Sequence, residues 1–148
     1  RDRTDLAPWM ARWMVRAASE LVAECDVIIP VPLHPHRFWT RRFNQSAELA
    51  RAMATQSGRP FAPEALVRVK RTRQQVGLNS NERAANVRGA FHVPEKREID
   101  VAGRAVLLVD DVYTTGATIK AASRALLRAK ATAVDVVTFG RVVSGVAD

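Results

Sequence analysis

Residues 106–118 read VLLVDDVYTTGAT, and this stretch restricts the chain more than any other. Val106, Leu107, Leu108 and Val109 form an apolar run with no polar face, the pattern of a short strand covered on both sides, as in a parallel sheet flanked by helices. Asp110 and Asp111 end it abruptly. A hydroxyl-rich turn around Gly116 then leads into Ile119, Ala122, Leu126 and Ala129, whose spacing marks one face of a helix. Strand, tight loop and helix in this order make half of a βαβ unit, so the fold class expected is α/β.

The remaining segments extend the same alternation. Leu6, Met10, Trp13, Met14, Ala17 and Leu21 fall on one stripe and predict an opening helix within residues 1–24, its tryptophans packed inward. DVIIPVP, from Asp26, reads as a buried strand stopped at Pro30. The basic, proline-punctuated loop LHPHRFWTRRFNQS follows. Asn44 is then a candidate N-cap for a helix in which Leu49, Ala50 and Met53 share a face, and Ser57-Gly58 and Pro60 close it. ALVRVK, residues 65–70, predicts another strand; RTRQQVGLNSNERAANVRGAF is polar and weakly periodic; VDVVTF, from Val134, predicts the last strand. The expected architecture is a single domain over residues 1–148, with an N-terminal helix in 1–24 and a core in 25–148 built on a mostly parallel sheet with helices on both faces. A start at Arg1 rather than methionine is what a fragment of a longer chain would show.

Composition narrows the function classes. The 148 residues, 47% apolar and 26% charged, suit one globular domain. No apolar run reaches the roughly 20 residues a membrane span needs, and no signal segment opens the chain, so membrane insertion is not expected and a cytoplasmic protein is. The single cysteine, Cys25, leaves no internal disulfide and no multi-cysteine zinc site; a small apolar filler is its expected role. A net charge of +8 favours anionic partners: nucleic acid, phosphorylated metabolites or acidic surfaces.

The chemistry concentrates at the carboxyl end of the 106–109 strand. In an open parallel sheet this is where ligands bind. Paired carboxylates there are costly unless used, and two vicinal ribose hydroxyls, with a hydrated magnesium ion nearby, would use them. Thr114, Thr115, Gly116, Ala117 and Thr118 open a helix whose first N–H groups lack internal partners, which makes a phosphate site. Carboxylates and phosphate nest together fit a ribose phosphate. Neither GxxxxGK[ST] nor GxGxxG occurs in the chain, which excludes a P-loop and a dinucleotide fingerprint.

VLLVDDVYTTGAT resembles the phosphoribosyl pyrophosphate (PRPP) motif of type I phosphoribosyltransferases. PVPLHPHRFWTRRFNQSAELARAMA and RTRQQVGLNSNERAANVRGAF are similar to the ComF family of phosphoribosyltransferase-like proteins associated with competence and DNA uptake. The resemblance implies that Asp110 and Asp111 hold the ribose hydroxyls and stand at the catalytic centre, and that PRPP lies along Asp110, Asp111, Val112, Tyr113, Thr114, Thr115, Gly116, Ala117 and Thr118. It implies pyrophosphate contacts from Val31, Pro32, Leu33, His34, Arg37, Arg71, Arg83 and Arg88, and magnesium held through water near the paired aspartates. The zinc ribbon usual in that family has no counterpart here, so zinc is not assigned.

Purine-salvage relatives carry a carboxylate base where this chain has Thr114, and Arg42 replaces a customary glycine before Phe43-Asn44-Gln45. The function expected is PRPP binding, with phosphoribosyl transfer to an unidentified acceptor and release of pyrophosphate. The alternative is a non-catalytic, nucleotide-responsive module that binds single-stranded DNA within the DNA-uptake machinery. Trp39 and Phe43 among Arg37, Arg41 and Arg42 are the stacking candidates for that alternative. A core role is the expectation for the tryptophan-bearing first helix, and pairing of that helix with another chain, giving an oligomer, is its alternative.

Overall fold

The computed structural model describes residues 7–32, 45–69, 89–110, 116–139, 141–143 and 145. Its centre is a four-stranded sheet in the order β1 (Val27–Pro30), β4 (Ala105–Asp110), β5 (Ala133–Thr138) and β6 (Arg141–Val143). β1, β4 and β5 run parallel, with Val27 opposite Val106 and Asp110 opposite Thr138; β6 pairs antiparallel to β5. The expected α/β class and mostly parallel sheet are what the chain adopts.

Strand alternation divides the core in two. Val27, Ile29, Val106, Leu108, Val134 and Val136 face a helix we call α4 (Gly116–Arg128), packing with its Ile119, Ala122, Ala125 and Leu126. Ile28, Leu107, Val109 and Val137 face the opposite layer, made of α1 (Ala7–Ala17), α2 (Ser19–Glu24) and α3 (Gln45–Ser57), through Met14, Val22, Leu49 and Met53. Leu107 and Leu108 are both fully buried, on opposite faces of one strand. Each such side chain is worth about 1.5–3 kcal/mol of transfer free energy.

Three expectations change on inspection of the fold. The opening helix is two helices, α1 and α2, and the stripe that α1 buries is Ala11 and Met14, continued by Ala18. Trp13 is 40% exposed and Trp9 55%, so these rings are not core residues. The hydrophobic stripe read from sequence was rotated because tryptophan counted as apolar; packing of α1 on α3 selects the narrower face of small and flexible side chains. ALVRVK contributes only the short β2 (Val67–Arg68), which pairs antiparallel with β3 (Phe91–His92) in a separate two-stranded sheet rather than joining the main one. β6 was not anticipated at all. Asn44 lies outside the described residues.

Local chemistry explains the joints. Outside β1, the Ile28 N–H donates to the Pro60 carbonyl and the Ala62 N–H donates to the Ile28 carbonyl. The Arg59 guanidinium donates to the carbonyls of Ala23 and Cys25 at 2.7 and 3.3 Å, tying the end of α2 to the segment after α3. Cys25 is buried, with its thiol directed at the Val22 carbonyl at 3.3 Å. Burial pushes that thiol above its usual pKa, against the pull of nearby Arg59, so it stays protonated and acts as the expected filler.

α4 ends in a Schellman arrangement: Ala131 N–H donates to Leu126 and Lys130 N–H to Leu127. Lys130 consequently sits at φ 78°, a left-handed conformation that a β-carbon resists. Lys130→Gly is expected to stabilise the fold by about 0.5–1 kcal/mol, raising the thermal midpoint by about 2–3 °C in differential scanning calorimetry.

Candidate functional site

β4 carries the site's first residue because its apolar run ends at the edge of the core. Val109 is fully buried, whereas Asp110, the next residue and the last of the strand, is only half-buried. The carboxylate therefore emerges at the carboxyl end of the parallel sheet, level with Thr138 at the end of β5. Beside it, Val31 extends β1, its N–H donating to the Val109 carbonyl at 2.9 Å. Val31 is buried and Pro32 half-buried, so Val31 launches the following loop from a fixed point while its own amide is committed to the sheet.

The Asp110 side chain has a defined partner. Ser46, the second residue of α3 and 4% exposed, donates its hydroxyl hydrogen bond to Asp110 Oδ1 at 3.0 Å. A hydroxyl donating to a carboxylate fixes its rotamer. Ser46 was not singled out in the sequence. Its only signal there is its place just after FNQ, at the start of a helix.

Gly116 opens α4 a short distance along the chain from Asp110, with residues 111–115 between them. Gly116 is half-buried, Ala117 exposed and Thr118 half-buried, while Ile119 is in the core. α4 is thus held by Ile119, Ala122 and Leu126 with its N-terminal N–H groups at the sheet's carboxyl end. That arrangement presents a partial positive charge of about half a unit toward an anion. α4 has no acidic residue in its first turn to oppose one.

Of the residues expected in the site, the structure therefore assembles Val31, Pro32, Asp110, Gly116, Ala117 and Thr118 at one end of the sheet. Asp111, Val112, Tyr113, Thr114 and Thr115 lie outside the described residues, as do Leu33, His34, Arg37, Arg71, Arg83 and Arg88. The aromatic candidates Trp39 and Phe43 lie outside them too. Among the described residues no group of three or more His, Cys, Asp or Glu side chains converges on a metal position. The donor set at Asp110 and its neighbour is hard oxygen, which suits magnesium held by one or two carboxylates with water and ligand phosphates completing its shell.

A phosphoribosyl transferase domain model matches residues 44–145, well over half of the sequence. The chain belongs to the phosphoribosyl transferase domain family. Within it the relatives are of the ComF type. The DNA utilization protein YhgH of Escherichia coli K12 is 38% identical over 75% of this chain and 47% of its own length. Competence protein F of Haemophilus influenzae is 37% identical over 68% of this chain and 44% of its own. Competence protein ComFC of Bacillus subtilis is 30% identical over 78% and 44%. The chain spans less than half the length of these relatives. Among solved structures, the allosteric regulatory enzyme of purine biosynthesis superposes with a TM-score of 0.63 at 20% identity, over 91% of this chain and 25% of that one. The glutamine PRPP amidotransferase from B. subtilis gives 0.58 at 23% identity, over 92% and 25%. At this identity the two structures establish the fold.

Because Ser46 orients Asp110, Ser46→Ala is expected to weaken binding of ribose 5-phosphate about 3- to 10-fold, while the thermal midpoint moves by only a few degrees. Calorimetric titration of the variant beside the parent measures both.

Proposed function

We propose that this domain binds PRPP with hydrated magnesium at the carboxyl end of β4 and moves its phosphoribosyl group to an acceptor, releasing pyrophosphate. One observation carries the reading: the Asp110 carboxylate, oriented by Ser46, stands at the exit of the strand that precedes α4 in the chain. A ribose 5-phosphate uses both features, acid groups for its hydroxyls and the positive end of a helix for its phosphate. Family membership supports the same ligand class.

In this reading Asp110 and Asp111 accept hydrogen bonds from the two ribose hydroxyls and fix the sugar. Thr114, Thr115 and Thr118 donate to the 5′-phosphate together with the first amides of α4. Asp110 and Asp111 would hold magnesium through water, and its charge would offset that on the pyrophosphate oxygens. The bond from C1 to the pyrophosphate oxygen breaks with its electron pair going to the leaving group, and Arg37, Arg71, Arg83, Arg88 and His34 are the side chains assigned to stabilise that charge. The acceptor's lone pair forms the new bond at C1. Thr114 supplies no carboxylate base, so the acceptor brings a nucleophile that is already free of its proton or loses it to water.

A second reading, binding of single-stranded DNA, is favoured by the net charge of +8 and by relatives whose names speak of DNA utilization and competence. A DNA-uptake assembly as partner belongs to that reading. A basic surface of this kind binds by releasing counterions, so its affinity would fall steeply with salt.

Calorimetric titration with magnesium-PRPP tests the first reading. Saturable binding is expected for the parent, with Asp111→Asn and Gly116→Val each lowering affinity by about 100-fold or more. Equal affinity in parent and both variants would remove the assignment. Pyrophosphate release scanned across amines, bases and nucleosides then identifies the acceptor.

A further inference from the structure

We propose that the outer face of α1, together with Phe139, is a stacking surface for single-stranded nucleic acid, next to the ribose-phosphate end of the sheet. This rests on the nucleic-acid reading above and locates it. Along α1, Ala11 and Met14 point into the core, and the opposite side presents Trp9, Arg12, Trp13 and Arg16 in helical succession. Trp9 and Trp13 are 55% and 40% exposed, and Phe139 is 40% exposed. The three rings form one cluster: Phe139 lies 5.1 Å from Trp13 and 6.2 Å from Trp9 between centroids, with interplanar angles of 57° and 51°. Phe139 immediately follows Thr138, the register partner of Asp110, so the cluster shares the rim on which Asp110 stands.

The chemistry of the face selects the partner. Two tryptophans half in water, in contact with Phe139 but outside the core that the helix buries on its other side, leave an apolar surface open to a partner. Four residues apart, they are about 6 Å apart along the axis, with a guanidinium beside each indole. α1 has no acidic residue in its first turn, and neither Arg12 nor Arg16 is paired with an acid among the described residues. A single strand offers a flat base to each ring and a phosphate to each guanidinium, which is how sequence-tolerant binders work. These are different residues from Trp39 and Phe43, the stacking candidates named from the sequence.

The test is fluorescence anisotropy of a labelled 20-residue oligo-dT, titrated with the whole chain at low salt and repeated across a salt series. The pair Trp9→Ala with Trp13→Ala is expected to weaken binding about 25-fold or more, at about 5-fold or more per ring. Arg12→Glu with Arg16→Glu, on side chains with no packing role, is expected to weaken it too and to lower the slope of log affinity against log salt by about 1.4. Magnesium-PRPP affinity stays at the parent value in both. If oligo-dT binds the parent and both double variants equally, this surface is overturned while the DNA reading stands. If oligo-dT does not bind the parent even at low salt, both fall. The surface is likewise overturned if polyglutamate binds as tightly as oligo-dT, or if the variants act only by dissolving a dimer seen in sedimentation.

Discussion

β4 is enclosed on every side, and the rest of the molecule is arranged around that enclosure. β1 and β5 saturate its two edges, α4 covers one face, and α1 and α3 cover the other. A strand so placed admits no polar side chain along its length, because a charge there would be desolvated without compensation. Its first permissible polar position is the residue at which both covering layers end. Asp110 occupies that position, and the carboxylate's location is thus a consequence of core packing rather than of local loop geometry.

The two layers also divide the labour at the site. α4, anchored through Ile119 and Leu126, delivers the amides of its first turn; α3, anchored through Leu49 and Met53, delivers the Ser46 hydroxyl. Both helices are fixed to the same strand. A sugar phosphate lying across the strand's end would therefore meet groups from both faces of the sheet. Preorganised donors of this kind need no rearrangement when charge develops.

What could be read from the sequence followed the strength of the periodic signal. VLLV and the stripe Ile119, Ala122, Leu126 each carry an unambiguous period, and β4 and α4 were placed nearly to the residue, with Asp110 at the strand's end. Weak signals failed for identifiable reasons. β2 and β3 are two-residue pairings whose existence depends on being brought together, which no local pattern encodes. β6 is an edge strand added by the chain's reversal after Thr138. Ser46 escaped notice because its partner is 64 residues away. Tryptophans 9 and 13 were assigned to the core on hydrophobicity alone, although a stripe can rotate when small residues pack more closely on the neighbouring helix.

The residues beside β1 have a bearing on how copies of the chain behave in a crowded solution. Ile28 spends its outward N–H on Pro60 and its carbonyl on Ala62, and Pro30 has no N–H to offer. That margin of the sheet is consequently no template: a foreign strand approaching it finds no run of open donors to zip onto. On this side the apolar sheet is thereby shielded from cross-chain polymerisation by the backbone of the segment after α3.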